Sequence, residues 1–407
     1  MRTKARSRTW GIVSAVALGI AGVSVASLSL RTAAVRLLPP NAPALRQIAP
    51  DNPDIVLQRA TAALVKQRGI LDPKTLAAVK RAALATPLDA RPYLILGHQQ
   101  LLEAQPQRAL ATLEAGQRLD PRQRLIHLLL LDRYLRTGRY ADAATQFSVL
   151  ARLVGAAGEQ IAAAMAQMSL APQTRNAVRQ TLRSDPRLER AVLIALAQSQ
   201  TAPATIFALA SPAALSSAGA ADSWGAPLIA RLAQQNRYAE AHAVWQQVYQ
   251  VPPAQVAAPI YDAGFQQLPG SPPFNWTLAS GTIGAADMQN RGLNVEYYGR
   301  ASGELASQLV VLRPGRYTFS VTIEGSKTAA GASLFWSLRC VSGSDTLLMT
   351  VPLSGTGVRH RVSATANVPA NCAAQRLVLT GEAGEFPAPM NLTLRDLDLR
   401  AASEGTS

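Results

Sequence analysis

The chain is poor in the residues that most enzymes work with. Among 407 residues there are four histidines and two cysteines, and aromatic residues make up only 5%. His98, His127, His242 and His360 stand far apart, and no HExxH, CxxC or other ligand spacing occurs, so no metal centre is expected. The GxSxG elbow, the phosphate-cradling P-loop and the dinucleotide GxGxxG are also missing, which removes the usual supports of acyl transfer, phosphoryl transfer and nicotinamide chemistry. Glycoside hydrolysis needs only two carboxylates. Glu296, Glu304, Glu324 and Asp345 occur without an evident companion, so neither an enzyme nor a cofactor is expected.

Lysine is scarce too. Five of the 40 basic residues are lysines, although the formal charge is +15. From Ser271 onward acidic and basic residues nearly cancel, so the surplus lies in the N-terminal tip and in arginines scattered over the Ala-rich middle. No basic block or RNA-binding aromatic signature interrupts that pattern, and nucleic acid is not an expected partner. What is plentiful is apolar surface: 48% hydrophobic content suffices for the cores of two domains.

A long charge-free run occurs at the start. Arg2, Lys4, Arg6 and Arg8 precede Trp10 to Leu30, a stretch that as a helix would span the ~30 Å of a bilayer core. The spacing predicts a basic cytoplasmic tip at 1–9, a transmembrane helix at 10–30 and a linker at 31–49, with the remainder exported. A cleavable secretory signal is the alternative, because Ser24-Val25-Ala26 reads as a cleavage site. Either reading puts the bulk of the chain in the bacterial periplasm, with the anchor form a single-pass inner-membrane protein. In that oxidising compartment Cys340 and Cys372 are expected to form a disulfide, with two buried free thiols as the alternative.

The middle of the chain repeats itself. RYLRTGRYADAATQF, from Arg133 to Phe147, aligns with the residues 34 positions earlier: Leu135 on Leu101, Ala143 on Ala109 and Phe147 on Leu113. Pro53, Pro87 and Pro121 keep the same spacing in turn-prone settings, with apolar residues at helical spacing between them. Nearly a hundred residues later NRYAEAHAVW, from Asn236 to Trp245, restates the order of small, tyrosyl and bulky residues. A 34-residue helix-turn-helix period resembles the tetratricopeptide repeat. Tyr93, Leu96, Gly97, Ala109, Leu113, Gly116 and Pro121 follow its pattern of bulky, small and turn positions, as do Tyr134, Ala143 and Phe147, then Ala241, Trp245 and Pro253. His127 and Leu131 depart from it. Gly138 and Asn236 fall where a first helix ends and tolerate a left-handed cap. Residues 157 to 222 read as further helices without the period, with Met165 and Met168 as core filler. The resemblance implies a helical solenoid over 50–265 that binds a protein partner.

Near LPGSPPF, residues 268 to 274, the composition shifts to Thr, Ser, Val and Gly, which places a linker at 266–273. Alternation then predicts strands over 293–298, 316–325, 333–340, 360–368 and 376–381, with a bulge near Arg395-Asp396 where the apolar phase slips. The fold class is therefore α + β multidomain, with an antiparallel β-sandwich or jelly roll at 274–402 and a tail at 403–407. LRPGRYTFSVTIEG resembles the Pro-Gly-x-Tyr strand entry of galactose-binding-like sandwiches, which include many carbohydrate-binding modules. Phe274, Trp276 and Leu278 share a face, as do Tyr317, Phe319 and Val321, and Leu334, Trp336 and Leu338; these are expected in the core. Asn294, Glu296 and Tyr298 should project together, with Arg300 just beyond and Arg339 on another strand, as a candidate sugar site.

Anchor, helices and sandwich together are similar to bacterial inner-membrane proteins associated with exopolysaccharide or capsule biosynthesis and export. That resemblance implies a non-catalytic periplasmic scaffold holding a protein on its helices and polysaccharide on its sandwich. The alternatives are an assembly factor with a structural or dimerising sandwich, and a glycan-processing enzyme.

Overall fold

The computed structural model describes residues 23–34, 37–38, 42–66, 69–155, 158–326, 331, 333–342, 345–386 and 388–402. Most of the expected membrane span, 10–30, lies outside the described residues. Residues 23–34 are helical (α1), and among the described residues no helix is long and apolar enough to cross a membrane. There follow α2 (Pro43–Ile48), α3 (Pro53–Lys66), α4 (Pro73–Ala85), α5 (Arg91–Leu102), α6 (Pro106–Leu119), α7 (Arg124–Arg136), α8 (Tyr140–Val154), α9 (Gly158–Leu170) and α10 (Pro172–Ser184). Many of these open on proline, whose missing N–H costs nothing in the first turn and whose φ is already helical. Asp72 adds a side-chain cap, its carboxylate accepting from the N–H of Thr75 at 2.9 Å.

The helical region is consistent with a repeat of hairpins. α3 packs on α4, α5 on α6 and α7 on α8, and small residues set how closely they approach. Ala109 and Leu113 are fully buried, and a Cβ added to Gly97 would come within 2.7 Å of the Leu113 side chain. Tyr134, Ala143 and Phe147 are buried in the next hairpin, whereas Tyr93 is only half-buried and Pro121 is exposed. Pro121 instead offers its carbonyl to His127 Nε2 at 2.8 Å, while His127 Nδ1 meets Gln146 at 2.6 Å. This pairing is why a buried histidine stands at a position where the pattern asks for a bulky apolar residue.

The repeated string has a local cause. Gly138 sits at φ +71° and Asn236 at φ +58°. Beyond each, the next amide reaches back to close the helix end: Arg139 N to Tyr134 O and Arg237 N to Leu232 O, both at 2.9 Å.

The chain divides into two compact units between Thr181 and Leu182. The second unit begins with α11 (Pro186–Gln198), α12 (Pro203–Leu209), α13 (Pro212–Ser216), α14 (Gly225–Gln234), α15 (Tyr238–Tyr249) and α16 (Pro253–Val256). Its strands are β1 (Thr277–Leu278), β2 (Gly284–Gln289), β3 (Gly292–Tyr297), β4 (Gly303–Val310), β5 (Gly315–Gly325), β6 (Ser333–Cys340), β7 (Leu347–Leu353), β8 (His360–Val368), β9 (Gln375–Glu382) and β10 (Met390–Ala401). They form two antiparallel sheets, ordered β1-β4-β9-β6-β7 and β2-β3-β10-β5-β8. Tyr297, Phe319, Leu334, Trp336 and Leu338 lie at or near zero exposure in the shared core. The register between β10 and β5 slips between Arg395 and Asp398, with Asp396 at φ +49°, where the apolar phase of the sequence slips. Gly315 takes φ +148° at the strand entry, and the Tyr317 hydroxyl donates to Arg313 O at 3.0 Å to close that turn. Cys340 and Cys372 form a disulfide within this core, their Cα atoms 5.7 Å apart.

The last helical hairpin, expected as part of the solenoid, belongs to the same compact unit as the sandwich. Trp245 is 1% exposed, crosses the Tyr261 ring edge to face at 4.8 Å, and donates from Nε1 to Ser271 O at 2.8 Å. Asp262, also 1% exposed, receives the amides of Gln266 (2.7 Å), Gln267 (2.9 Å) and Leu268 (3.3 Å). The segment 266–273, expected as a linker, is thus tied as a clasp by hydrogen bonds to Asp262 and Trp245, with its own residues exposed or half-buried. Ile260 and Phe265 complete the sandwich core beside Trp276. Phe274 departs from the face assigned to it. It precedes the two-residue β1 and packs against His242 and Trp245 at ring distances of 4.9 and 5.8 Å.

Candidate functional site

The outer face of the β2-β3-β10-β5-β8 sheet carries the polar ladder on which the site is built. Strand pairing brings Asp287, Asn294, Thr393 and Glu324 into one row across β2, β3, β10 and β5. A second row holds Ala285, Glu296 and Asn391. These residues line an open depression of about 510 Å³ whose walls extend to Gly325 and Ser326. Alternation puts their neighbours Val295, Leu392 and Leu394 into the core, which is how one short strand serves both purposes.

Internal bonds hold the floor. Thr393 Oγ1 donates to Asn294 Oδ1 at 2.9 Å, and Glu324 is approached at 3.3 Å by both Arg359 and Arg395. Asp287 receives the Gln289 side chain. Glu296 is exposed and has no ion-pair partner among the described residues. Small residues flatten the surface: Ala285 lies beside Glu296, and a Cβ added to Gly292 would meet Thr393 at 3.0 Å. The depression therefore presents carboxylates, amides and a hydroxyl at the spacing of adjacent strands, about 4.8 Å. Its carboxylates do not converge: among the described residues no group of three or more His, Cys, Asp or Glu side chains is placed to hold a metal ion.

Of the five residues expected to form a sugar site, the structure brings two into this depression, Asn294 and Glu296. Strand β3 ends at Tyr297, and Gly299 at φ +70° turns the chain away, so Tyr298 is half-buried past the strand end with its amide bonded to Ile283 O. Arg300 is exposed in that turn. Arg339 lies on β6 in the other sheet, where Asp345 holds it at 2.9 Å and raises its pKa. Asp287, Glu324, Asn391 and Thr393 were not anticipated. Alternation alone assigns each an outward face, but that β10 lies between β3 and β5 is a fact of topology that no single strand records.

No protein-family model matches the sequence, and no curated protein matches it. Among solved structures, those similar to part of the chain include carbohydrate-binding module β-sandwiches. The N-terminal cellulose-binding domain of β-1,4-glucanase C from Cellulomonas fimi is 19% identical, covering 36% of this chain and 99% of that one, with a TM-score of 0.26. TmCBM61, in complex with β-1,4-galactotriose, is 15% identical over 36% of this chain and 98% of that one, with a TM-score of 0.25. The CBM22-1 xylan-binding domain of Paenibacillus barcinonensis Xyn10C is 15% identical over 34% and 91%, also with a TM-score of 0.25.

Proposed function

We propose that this chain is a non-catalytic, membrane-anchored periplasmic adaptor. Its tetratricopeptide-like helices hold a protein partner, and its sandwich holds a neutral, hydroxyl-rich polysaccharide in envelope polysaccharide biosynthesis or export. The observation that carries the glycan reading is the in-register row Asp287, Asn294, Thr393 and Glu324 on the floor of an open depression. Hydroxyl groups donate strongly to carboxylates, and the strand spacing is comparable with the length of one pyranose unit. The exposed charge of Glu296 and Asp287 repels anionic chains, so the glycan favoured here is neutral.

A groove in the first unit supports the protein-binding half. Leu125, Leu128, Leu131, Phe147, Leu150 and Ile161 line an apolar depression of about 660 Å³, with Leu125 53% and Leu128 50% exposed. Exposed leucines grouped in this way mark interaction surfaces. The same groove supports the second reading, an assembly factor whose sandwich is structural.

The deciding experiment is a glycan array on the full chain, followed by calorimetry against neutral and uronate-containing polysaccharides. Saturable binding of neutral chains, weakened by Glu296→Ala with Asn391→Ala, sustains the adaptor reading. Folded protein that binds no polysaccharide leaves the assembly factor.

A further inference from the structure

In the first unit, the outer face of α4 carries charge and apolar surface that no contact within the chain absorbs. The helix buries Val79 and Ala82. At about 100° per residue, the opposite side brings together Lys74, Ala77, Lys80, Arg81 and Leu84, all of them exposed. Leu88 follows in the turn that closes the helix. Leu84 is 85% and Leu88 83% exposed, more than any other large apolar side chain among the described residues. Lys74, Lys80 and Arg81 have no ion-pair partner among the described residues. The carboxylates nearest in sequence are committed elsewhere. Asp72 caps the helix start, accepting from Thr75 N at 2.9 Å and Thr75 Oγ1 at 2.7 Å, and Asp89 accepts from Arg91 Nε at 2.9 Å. The helix itself contains no acid.

One exposed leucine on a surface is ordinary, but two that project beside three unpaired cations are not. Leucines standing on the ridge of a helix require a rigid partner to supply a matching hollow for each, whereas a fluid surface yields around them. Lysine and arginine stems lie along apolar material while their charged heads stay at its polar boundary. Each such charge beside an anionic bilayer strengthens binding about fivefold, so three give a preference of about a hundredfold over neutral lipid. We infer that this face of α4 docks on an anionic lipid surface, with Leu84 and Leu88 entering the headgroup boundary and Lys74, Lys80 and Arg81 meeting the lipid phosphates. This docking goes beyond the glycan and protein readings above and does not require the proposed anchor at 10–30.

The test places an environment-sensitive nitrobenzoxadiazole label on the full chain at Ala77→Cys, in the middle of the face, and in a second preparation at Thr365→Cys on β8, with the native cysteines still bridged. Each is mixed with vesicles of phosphatidylcholine alone and of equimolar phosphatidylcholine and phosphatidylglycerol. Position 77 should shift to the blue on the anionic vesicles, with a docked-to-free ratio about a hundredfold above that on the neutral ones, while position 365 stays unshifted. Lys80→Glu with Arg81→Glu should lower that ratio at least about twentyfold, and Leu84→Ser with Leu88→Ser at least about tenfold. Unchanged thermal unfolding shows that both pairs of substitutions leave the fold intact. Docking is refuted if position 77 does not shift on anionic vesicles, if it shifts equally on neutral ones, or if position 365 shifts to the same degree. It is also refuted if either paired variant behaves like the parent chain. A shift produced by soluble polyglutamate and by no vesicle overturns it in favour of an acidic protein, and a shift on concentrating the protein alone overturns it in favour of self-association. The glycan reading of the sheet groove stands or falls separately.

Discussion

Gln308 and Tyr261 bond each other as two paired strand residues would: Tyr261 N donates to Gln308 Oε1 at 3.1 Å, and Gln308 Nε2 donates to Tyr261 O at 2.9 Å. The side chain is 1% exposed and substitutes for a missing strand at the edge of the sandwich. Gln308→Leu strands a buried N–H and C=O and should cost about 2 to 6 kcal/mol, since each orphan costs about 1 to 3 kcal/mol. Urea denaturation followed by tryptophan fluorescence measures it, and a loss below 1 kcal/mol would show that water replaces the amide.

In the groove, Glu296→Ala with Asn391→Ala removes two outward groups whose neighbours carry the core. We expect an unchanged melting temperature and about a tenfold or greater loss of neutral-glycan affinity, from one to two charge-assisted hydrogen bonds. Tyr298→Ala, outside the depression, should have a smaller effect. The reverse ranking would move the site to the end of β3.

How much of this was legible beforehand depends on whether the cause is local. The left-handed caps at Gly138 and Asn236, the bulge at Asp396 and the inward faces of β5 and β6 follow from two or three adjacent residues, and alternation or a cap residue records them. The groove does not follow, because Asn294 and Glu324 lie 30 positions apart and share a row only through Thr393, which comes from the end of the chain. Phe274 is buried as expected, but by a neighbour that alternation does not record. It alternates with Trp276, yet its partner is a ring on α15 that arrives from outside the strand pattern.

His242 makes stability depend on pH. Burial lowers its pKa, so the folded chain holds this ring neutral while the unfolded chain protonates it near its ordinary 6.5. Between those values the unfolded state binds more protons, so stability rises with pH and is lost as the pH falls below about 6.5. His98 in the first unit is shifted the same way by burial. Denaturation midpoints from pH 7.5 down to 5 should fall, and His242→Phe should flatten the response of the second unit; an unaltered slope would exclude this histidine as the cause.

The Cys340–Cys372 bridge closes a loop with a sequence separation of 32. By the chain-entropy relation it restrains the unfolded chain by about 4 kcal/mol. Replacing both cysteines by alanine should lower the urea midpoint accordingly, with the sheets retained by circular dichroism. A midpoint unchanged by the double replacement would mean that the bond is not formed in the isolated protein.

The clasp around Asp262 makes the sandwich inseparable from what precedes it. A fragment begun at Gly270 would lack Ile260, Phe265 and the carbonyl that receives Trp276 Nε1 at 3.2 Å. It would also leave Gln308 facing solvent where Tyr261 belongs. The β-strands are therefore not a portable cassette. A gene fusion or recombination event that moved them intact would have to carry the chain from Ile260 onward, ahead of where the composition changes.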